Sequence, residues 1–134
     1  MTQPCDPGGM EDNASLLVVV DAANVVGSVP DGWWRDRRGA AERLRDRLAA
    51  DGVPGRAGPA EVVLVVEGAA RGVESVTGVR VESAPGSGDD HIVELVARAA
   101  GDRPVLVVTA DRELRRRVTE LGAEVAGPKT VRPG

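Results

Sequence analysis

Uninterrupted aliphatic runs alternate with amphipathic stretches along this chain. LLVVV at residues 16–20 and VLVVT at residues 105–109 contain almost only apolar side chains, which indicates strands buried on both faces. EVVLVVEG predicts a similar strand over residues 62–66, and a shorter strand is expected over residues 79–82. AEVAG, at residues 123–127, predicts a last short strand. These runs together predict a sheet whose central strands are covered on both sides.

Three stretches have the apolar spacing of amphipathic helices. The first runs from about residue 34 to residue 50 and follows a predicted loop over residues 22–34. The second begins at Asp89, because aspartate is a strong N-cap residue. The third follows Asp111 and stops at Gly122. The apolar face of the second helix is predicted to consist of Ile92, Val93, Val96, Ala97 and Ala100.

Strands and helices therefore alternate, and this order predicts an α/β fold in which a parallel sheet lies between two helical layers. The 134 residues suffice for one domain with a substantial core. We assign that domain to residues 15–128. Residues 1–14 are predicted to be a disordered leader and residues 129–134 a flexible tail, since both are polar and rich in Gly or Pro.

Acidic residues recur where the predicted strands end or the following helices begin. Asp21 follows the first strand, Asp89 and Asp90 open a helix, and Asp111 follows the fourth strand. Parallel sheets bind ligands beyond the carboxyl ends of their strands, and the first and fourth strands should be neighbours at the switch point. Clustered carboxylates repel one another unless a cation lies between them, and Mg²⁺ or Mn²⁺ suits oxygen ligands. The pattern predicts a divalent-metal site, although a loop-capping role for Asp21, a helix cap with a solvated neighbour for Asp89 and Asp90, and a helix cap for Asp111 explain each position taken alone.

Three further residues are candidates for supporting roles at this site. Asn24 completes a D-x-x-N pattern, and its amide could orient Asp21 or contact a phosphate. Glu67 ends the second strand and could act as an outer ligand or a proton-transfer group. Arg112 follows Asp111 and has the forked guanidinium that suits phosphate. The other arginines of RELRRR are expected on the solvent face of their helix.

Two tryptophans and one histidine allow more than one interpretation. Trp33 and Trp34 could stack on unpaired bases, but in such pairs one ring more often packs against a helix start while the other is half exposed. His91 is expected at the surface, since no zinc-ligand spacing accompanies it.

Charge and composition narrow the classes of function. A net charge of −4 argues against a protein that coats nucleic acid through bulk electrostatics, yet local arginine patches and metal-neutralised carboxylates remain compatible with nucleic-acid chemistry.

The single cysteine, Cys5, favours a reducing compartment. The chain contains no signal-peptide pattern and no apolar run long enough for a bilayer, so we predict a cytoplasmic protein without a membrane partner. P-loop, dinucleotide-binding and serine-hydrolase motifs are also missing.

Four motifs in order resemble those of PIN-like nucleases of the NYN or YacP-like family. They are VVVDAAN, VVLVVEG, SGDDHIVEL and VVTADREL, and the resemblance spans about residues 16–127. The chain departs from the family pattern at Glu67, where YacP-like chains commonly carry Asp, and in DAAN, where they often show DGYN.

The resemblance implies a Rossmann-like PIN fold with a parallel sheet of about five strands, and Mg²⁺- or Mn²⁺-dependent hydrolysis of RNA phosphodiester bonds. It assigns Asp21, Asp89 and Asp111 to the acidic metal-binding positions, Asp90 to a second acidic position and Asn24 to polar support. RNA is the implied substrate. A small acidic nuclease can need a homodimer or a protein partner to complete its RNA groove, but no residue here identifies one.

Two alternatives to a nuclease stay open at this point. One is a nuclease-like module that binds RNA or a protein partner without cleaving, and metal-dependent turnover would separate it from the enzyme. The other is a small-molecule phosphatase on a related sheet. That class uses a D-x-D motif, whereas this chain reads D-A-A after its first strand.

Overall fold

The computed structural model describes residues 15–28, 32–53 and 60–131. The predicted leader, residues 1–14, therefore lies outside the described residues. The helices and strands in chain order are β1 (Leu16–Asp21), α1 (Ala22–Gly27), α2 (Arg37–Asp51), β2 (Ala60–Val66), β3 (Val79–Ser83), α3 (Gly88–Ala99), β4 (Val105–Val108), α4 (Arg112–Glu120) and β5 (Glu124–Ala126). Short 3₁₀ helices cover Trp33–Arg35, Gly68–Ala70 and Pro128–Thr130.

The five strands form one parallel sheet in the order β3-β2-β1-β4-β5. The chain builds outward from β1 to one edge and then returns to add β4 on the other side. Val20 lies opposite Val108 across the β1–β4 pair, and Asp21 lies opposite Val65 across the β1–β2 pair. This confirms the predicted parallel α/β architecture and the predicted adjacency of the first and fourth strands.

The core consists of two aliphatic layers, one on each face of the sheet. Val18 and Val20 pack with α1 and α2, whereas Val19 packs with α3 and α4. Because side chains alternate along a strand, both sets of β1 residues must be apolar, which accounts for the unbroken LLVVV run. The chain has no Phe or Tyr. Its largest fully buried side chains are Leu64, Ile92, Leu106 and Leu114.

The structure corrects the predicted loop over residues 22–34. Its first part is the six-residue helix α1, which begins directly after β1 with Asp21 as its N-cap. A helix this short shows no repeated apolar period, so the sequence pattern gave no signal for it. Trp33 and Trp34 then lie in the 3₁₀ helix that precedes α2, and Trp34 is 55% exposed.

The start and the buried face of α3 also differ from the prediction. Its N-cap is Ser87, whose Oγ accepts from the Asp90 backbone N–H at 3.2 Å. Asp89 therefore lies inside the first turn and does not cap the helix. Ala97 is exposed and Leu95 is buried in its place, because Ile92, Leu95, Val96 and Ala99 share one helical face at i, i+3, i+4 and i+7 whereas Ala97 lies off that face.

The fold extends past the predicted domain boundary at residue 128. Pro128–Thr130 form a 3₁₀ helix, and Val131 is 2% exposed within the core layer that faces α1 and α2. The first residues of the predicted flexible tail therefore belong to the fold, and residues 132–134 lie outside the described residues. Among the helices that the structure describes, none is long and apolar enough to cross a membrane.

Gly122 provides a direct test of the turn that ends α4. Its φ is +99°, a conformation that L side chains adopt only with strain, and its Cβ position faces open space. Gly122→Ala should lower the free energy of unfolding by about 1 kcal/mol. The matched control is Gly101→Ala, where the space is also open but no positive φ occurs. Urea unfolding should show little change or a small gain for the control, and equal effects of the two substitutions would contradict this account.

Candidate active site

The buried carboxylate of Asp21 lies at the end of the central strand. The residue is 6% exposed, and each of its carboxylate oxygens accepts a hydrogen bond. Thr109 Oγ1 donates to Oδ2 at 3.0 Å, and the Asn24 backbone N–H donates to Oδ1 at 3.3 Å. The Thr109 contact follows from the strand register, since Val20 pairs with Val108 and the next residues face each other. The Asn24 contact exists because Asp21 caps α1.

Asn24 supports the site in a different way from either predicted role. The Asn24 backbone N–H, and not its side-chain amide, donates the hydrogen bond to Asp21. Its side-chain Oδ1 instead accepts from the Ala110 backbone N–H at 2.8 Å, across from α1 to the end of β4. The D-x-x-N pattern thus fastens the start of α1 to the loop that leads into α4.

Thr109 is a site residue to which the sequence analysis assigned no role. Its fully buried hydroxyl donates to Asp21 and accepts from the Asp111 backbone N–H at 3.1 Å. Its carbonyl accepts from Arg115 Nε at 2.8 Å. The sequence feature that could have indicated its role is a hydroxyl residue immediately after the apolar run of β4, opposite the acidic residue that ends β1. Thr109 therefore links two of the predicted acidic residues.

Two carboxylates of the site are positioned by the starts of helices. Asp111 is the N-cap of α4, and its Oδ1 accepts from the Leu114 backbone N–H at 3.0 Å, as the capping interpretation predicted. Glu67 follows β2, and its Oε1 accepts from the Gly88 backbone N–H at the start of α3. A Cβ at residue 88 would collide with that oxygen, so glycine permits the close approach.

The acidic side chains of this edge act on one another electrostatically. Burial raises the pKa of Asp21 to about 6, hydrogen bonds from Thr109 and Asn24 oppose the shift, and the Asp89 and Glu67 charges add to it. Burial is also the main cause that raises the pKa of Asp89, followed by the charges of Asp111 and Glu67. We call Asp21, Glu67, Asp89 and Asp111 the carboxylate cluster. Its members come from four different parts of the chain.

Asp90 and Arg112, the remaining predicted site residues, are placed differently. The Asp90 side chain is 71% exposed and pairs with Arg117 Nη1 at 3.2 Å. Arg112 is exposed at the start of α4. Arg117, which was expected on the solvent face, is the arginine whose charge lowers the pKa of Asp89. Arg117 lies about one and a half helical turns beyond Arg112. Its proximity to Asp89 results from the packing of α4 beside α3, which the sequence pattern does not show.

The acidic side chains of the cluster are too far apart to bind one metal ion without bridging waters. Within the described parts of the chain, no three His, Cys, Asp or Glu residues lie close enough together to hold an ion directly. His91 does not join the cluster, because its Nε2 lies 2.7 Å from Glu82 Oε1 on β3. Its side chain is less exposed than the sequence suggested.

Comparison with known proteins identifies a structural neighbour. No family model and no curated protein matches this sequence. Among solved structures, Rae1 (YacP) from Bacillus subtilis, crystallised as a tryptophan-to-leucine mutant, superposes with a TM-score of 0.60. The likeness covers 85% of this chain and 70% of that chain, at 18% sequence identity. The chain therefore has a YacP-like fold, and the predicted PIN-like architecture is confirmed.

The raised pKa of Asp21 predicts a specific pH dependence of stability. The folded protein retains this proton to higher pH than the unfolded chain, where the carboxyl titrates with its ordinary pKa of 3.8. The contribution of Asp21 is therefore fully present below about pH 4 and is lost as the pH rises through about 6. A shift of about two pKa units corresponds to a loss of about 3 kcal/mol in the free energy of unfolding.

Asp21→Asn should remove that dependence, because the amide is uncharged at every pH and can still bond to Asn24 and Thr109. Urea unfolding of both proteins between about pH 4 and pH 8 measures the effect as the change in their stability difference. Asp102→Asn, at an exposed loop position, is the matched control. Parallel pH profiles for the wild type and Asp21→Asn would show that burial does not raise this pKa.

Proposed function

We propose that this protein is a metal-dependent ribonuclease that hydrolyses RNA phosphodiester bonds at the carboxyl edge of its sheet. The observation that carries the proposal is the carboxylate cluster, in which the Thr109 hydroxyl joins the Asp21 carboxylate to the Asp111 backbone at the ends of two adjacent strands. Burial raises the pKa of Asp21 and of Asp89, and neighbouring negative charges add to both shifts. The YacP-like fold and the ordered series of motifs support the same function. Repulsion of this kind favours a bound cation.

The donor chemistry of the cluster fits Mg²⁺ or Mn²⁺. All four members offer carboxylate oxygens, and Asp21 has used only one acceptor position on each of its oxygens. Mg²⁺ usually retains several waters and takes only one or two protein carboxylates. A hydrated ion is therefore compatible with the wide spacing of the described acidic side chains, whereas an all-protein cage is not. We assign the ion to Asp21, Asp89 and Asp111, with one or two of these carboxylates bound to it directly and the others through its water ligands, and with Glu67 as an outer ligand.

The ion would supply a more acidic water and neutralise charge that develops on the phosphate. The protein's own residues position these reactants. Hydrogen bonds from Thr109 and Asn24 orient the Asp21 carboxylate. Glu67 is oriented through Oε1 by Gly88, and its other oxygen is the one we assign to accept a proton. Arg117, near Asp89, supplies positive charge for an RNA phosphate.

Cleavage assays should show dependence on both the metal and the cluster. Labelled single-stranded RNA should be cut in Mn²⁺ or Mg²⁺ and left intact in EDTA. Asp21→Asn and Asp111→Asn should each lower the rate roughly 100-fold or more, because each removes a charge that would hold the ion. Asparagine caps helices as well as aspartate does, so Asp111→Asn tests the charge separately from the start of α4.

Asp102→Asn serves as the control and should retain full activity. Full activity of Asp21→Asn or Asp111→Asn would refute the site assignment. The absence of three close acidic side chains among the described residues favours one alternative, a module that binds RNA without cleaving it. RNA binding without turnover in any metal would establish that alternative. Hydrolysis of a chromogenic phosphate ester that RNA does not inhibit would instead indicate a small-molecule phosphatase.

A further inference from the structure

An apolar pocket opens beside the carboxylate cluster, between α1, α2 and the turn after β2. Its volume is about 130 Å³. Small side chains form most of its wall, and Trp33, Arg37 and Glu67 border it. The proposed ribonuclease mechanism uses none of these wall residues except Glu67. Ala23 on α1 and Ala70 in the turn after β2 belong to the wall.

The size of the pocket restricts what it can hold. Pockets that enclose a drug-sized ligand occupy roughly 300–1,000 Å³, several times this volume. A single flat ring fits better than a whole nucleotide or a peptide segment. The Trp33 indole supplies one aromatic surface, and it packs against the end of α1, since a Cβ at Gly27 would lie 3.6 Å from that ring.

One arginine lies next to each tryptophan ring at the aromatic side of the pocket. The Arg37 guanidinium carbon lies 5.4 Å from the Trp33 ring centroid, and that of Arg35 lies 5.8 Å from the Trp34 ring centroid. The two indoles contact edge to face, with centroids 6.1 Å apart and planes at 86°. Aromatic surfaces next to arginines are typical of sites where unpaired bases stack and the adjoining phosphates are neutralised. A chain of net charge −4 thus carries a local basic and aromatic surface.

The pocket borders the candidate active site. Glu67 belongs to both, and α1, which forms part of the wall, is the helix that Asp21 caps. The shared Glu67 places this pocket next to the position that we assign to a phosphate at the carboxylate cluster.

From this arrangement we infer that the pocket binds one unpaired nucleobase next to the scissile phosphate, so that the enzyme selects single-stranded RNA. The inference rests on the proposed ribonuclease function for its biological meaning, but base binding itself can be tested without cleavage. Bases in a duplex are stacked and paired, so they cannot enter a pocket of this kind without being extruded.

The sharpest test fills the pocket from a position that the fold tolerates. Ala23 is exposed on α1 and lines the pocket, and leucine is a good helix former there. Ala23→Leu should weaken binding of a short labelled single-stranded RNA roughly 10-fold, measured by fluorescence anisotropy in EDTA. Trp33→Leu should have a similar effect. The matched control is Ala97→Leu, the same change at an exposed position on α3 that should leave binding unchanged.

Duplex RNA of the same composition is the second probe, and its weaker binding should not change in Ala23→Leu. The melting temperature of each variant confirms that it is folded. Equal affinities of wild type and Ala23→Leu for single-stranded RNA, no preference over duplex, or no RNA binding by the wild type would each overturn the inference. If the binding losses occur but no metal supports cleavage, the base pocket stands and the ribonuclease proposal fails. If Ala23→Leu changes neither the cleavage rate nor the affinity for single-stranded RNA, the ribonuclease proposal stands and the base pocket fails.

Discussion

The hydrogen bond between Thr109 Oγ1 and the buried Asp21 carboxylate joins the two central strands at the switch point of the sheet. Burying a carboxylate is costly unless its oxygens find donors. Asp21 finds them in Thr109 and Asn24, and the same two residues extend the network to Asp111 and Ala110. The geometry of the candidate site therefore depends on this junction, and the energy that burial costs is what raises the pKa of Asp21.

The parallel sheet and the meeting of Asp21 with the end of β4 could be predicted from the sequence, because unbroken aliphatic runs and their order leave few topologies. Finer features could not. Ser87, Asp89 and Asp90 are all residue types that cap helices well, so the sequence alone does not decide where α3 begins. In the folded protein α3 begins after Ser87, and the Gly88 backbone N–H at its start bonds to Glu67, a residue distant in sequence. The contributions of Thr109 and Arg117 depend on strand register and on how α4 packs beside α3. Both are long-range properties that local patterns do not contain.

Negative charge is concentrated at the carboxylate cluster, where Arg117 offsets part of it, and a second surface beside the cluster carries arginines next to tryptophans. The carboxylate cluster lies at the ends of β1, β2 and β4 and at the start of α3, while the arginines next to the tryptophans lie across α1 at the start of α2. A cation at the cluster would reduce the repulsion between its carboxylates and an RNA strand that meets both surfaces, so RNA should bind more tightly with the ion than in EDTA. Metal binding and RNA binding are therefore coupled in this account, and an overall acidic protein can still act on a polyanion.

Calorimetric titration of the wild-type protein with Mn²⁺, in buffers of different ionisation enthalpy, would show whether a divalent ion binds at the carboxylate cluster and releases a proton on binding. A divalent ion at the carboxylate cluster must displace the proton that Asp21 holds, since the pKa of that group is raised to about 6. The account predicts binding with release of a substantial fraction of a proton at about pH 6, much less at about pH 8, and loss of the release in Asp21→Asn. Mn²⁺ binding without proton release at about pH 6, or no binding at either pH, would contradict it.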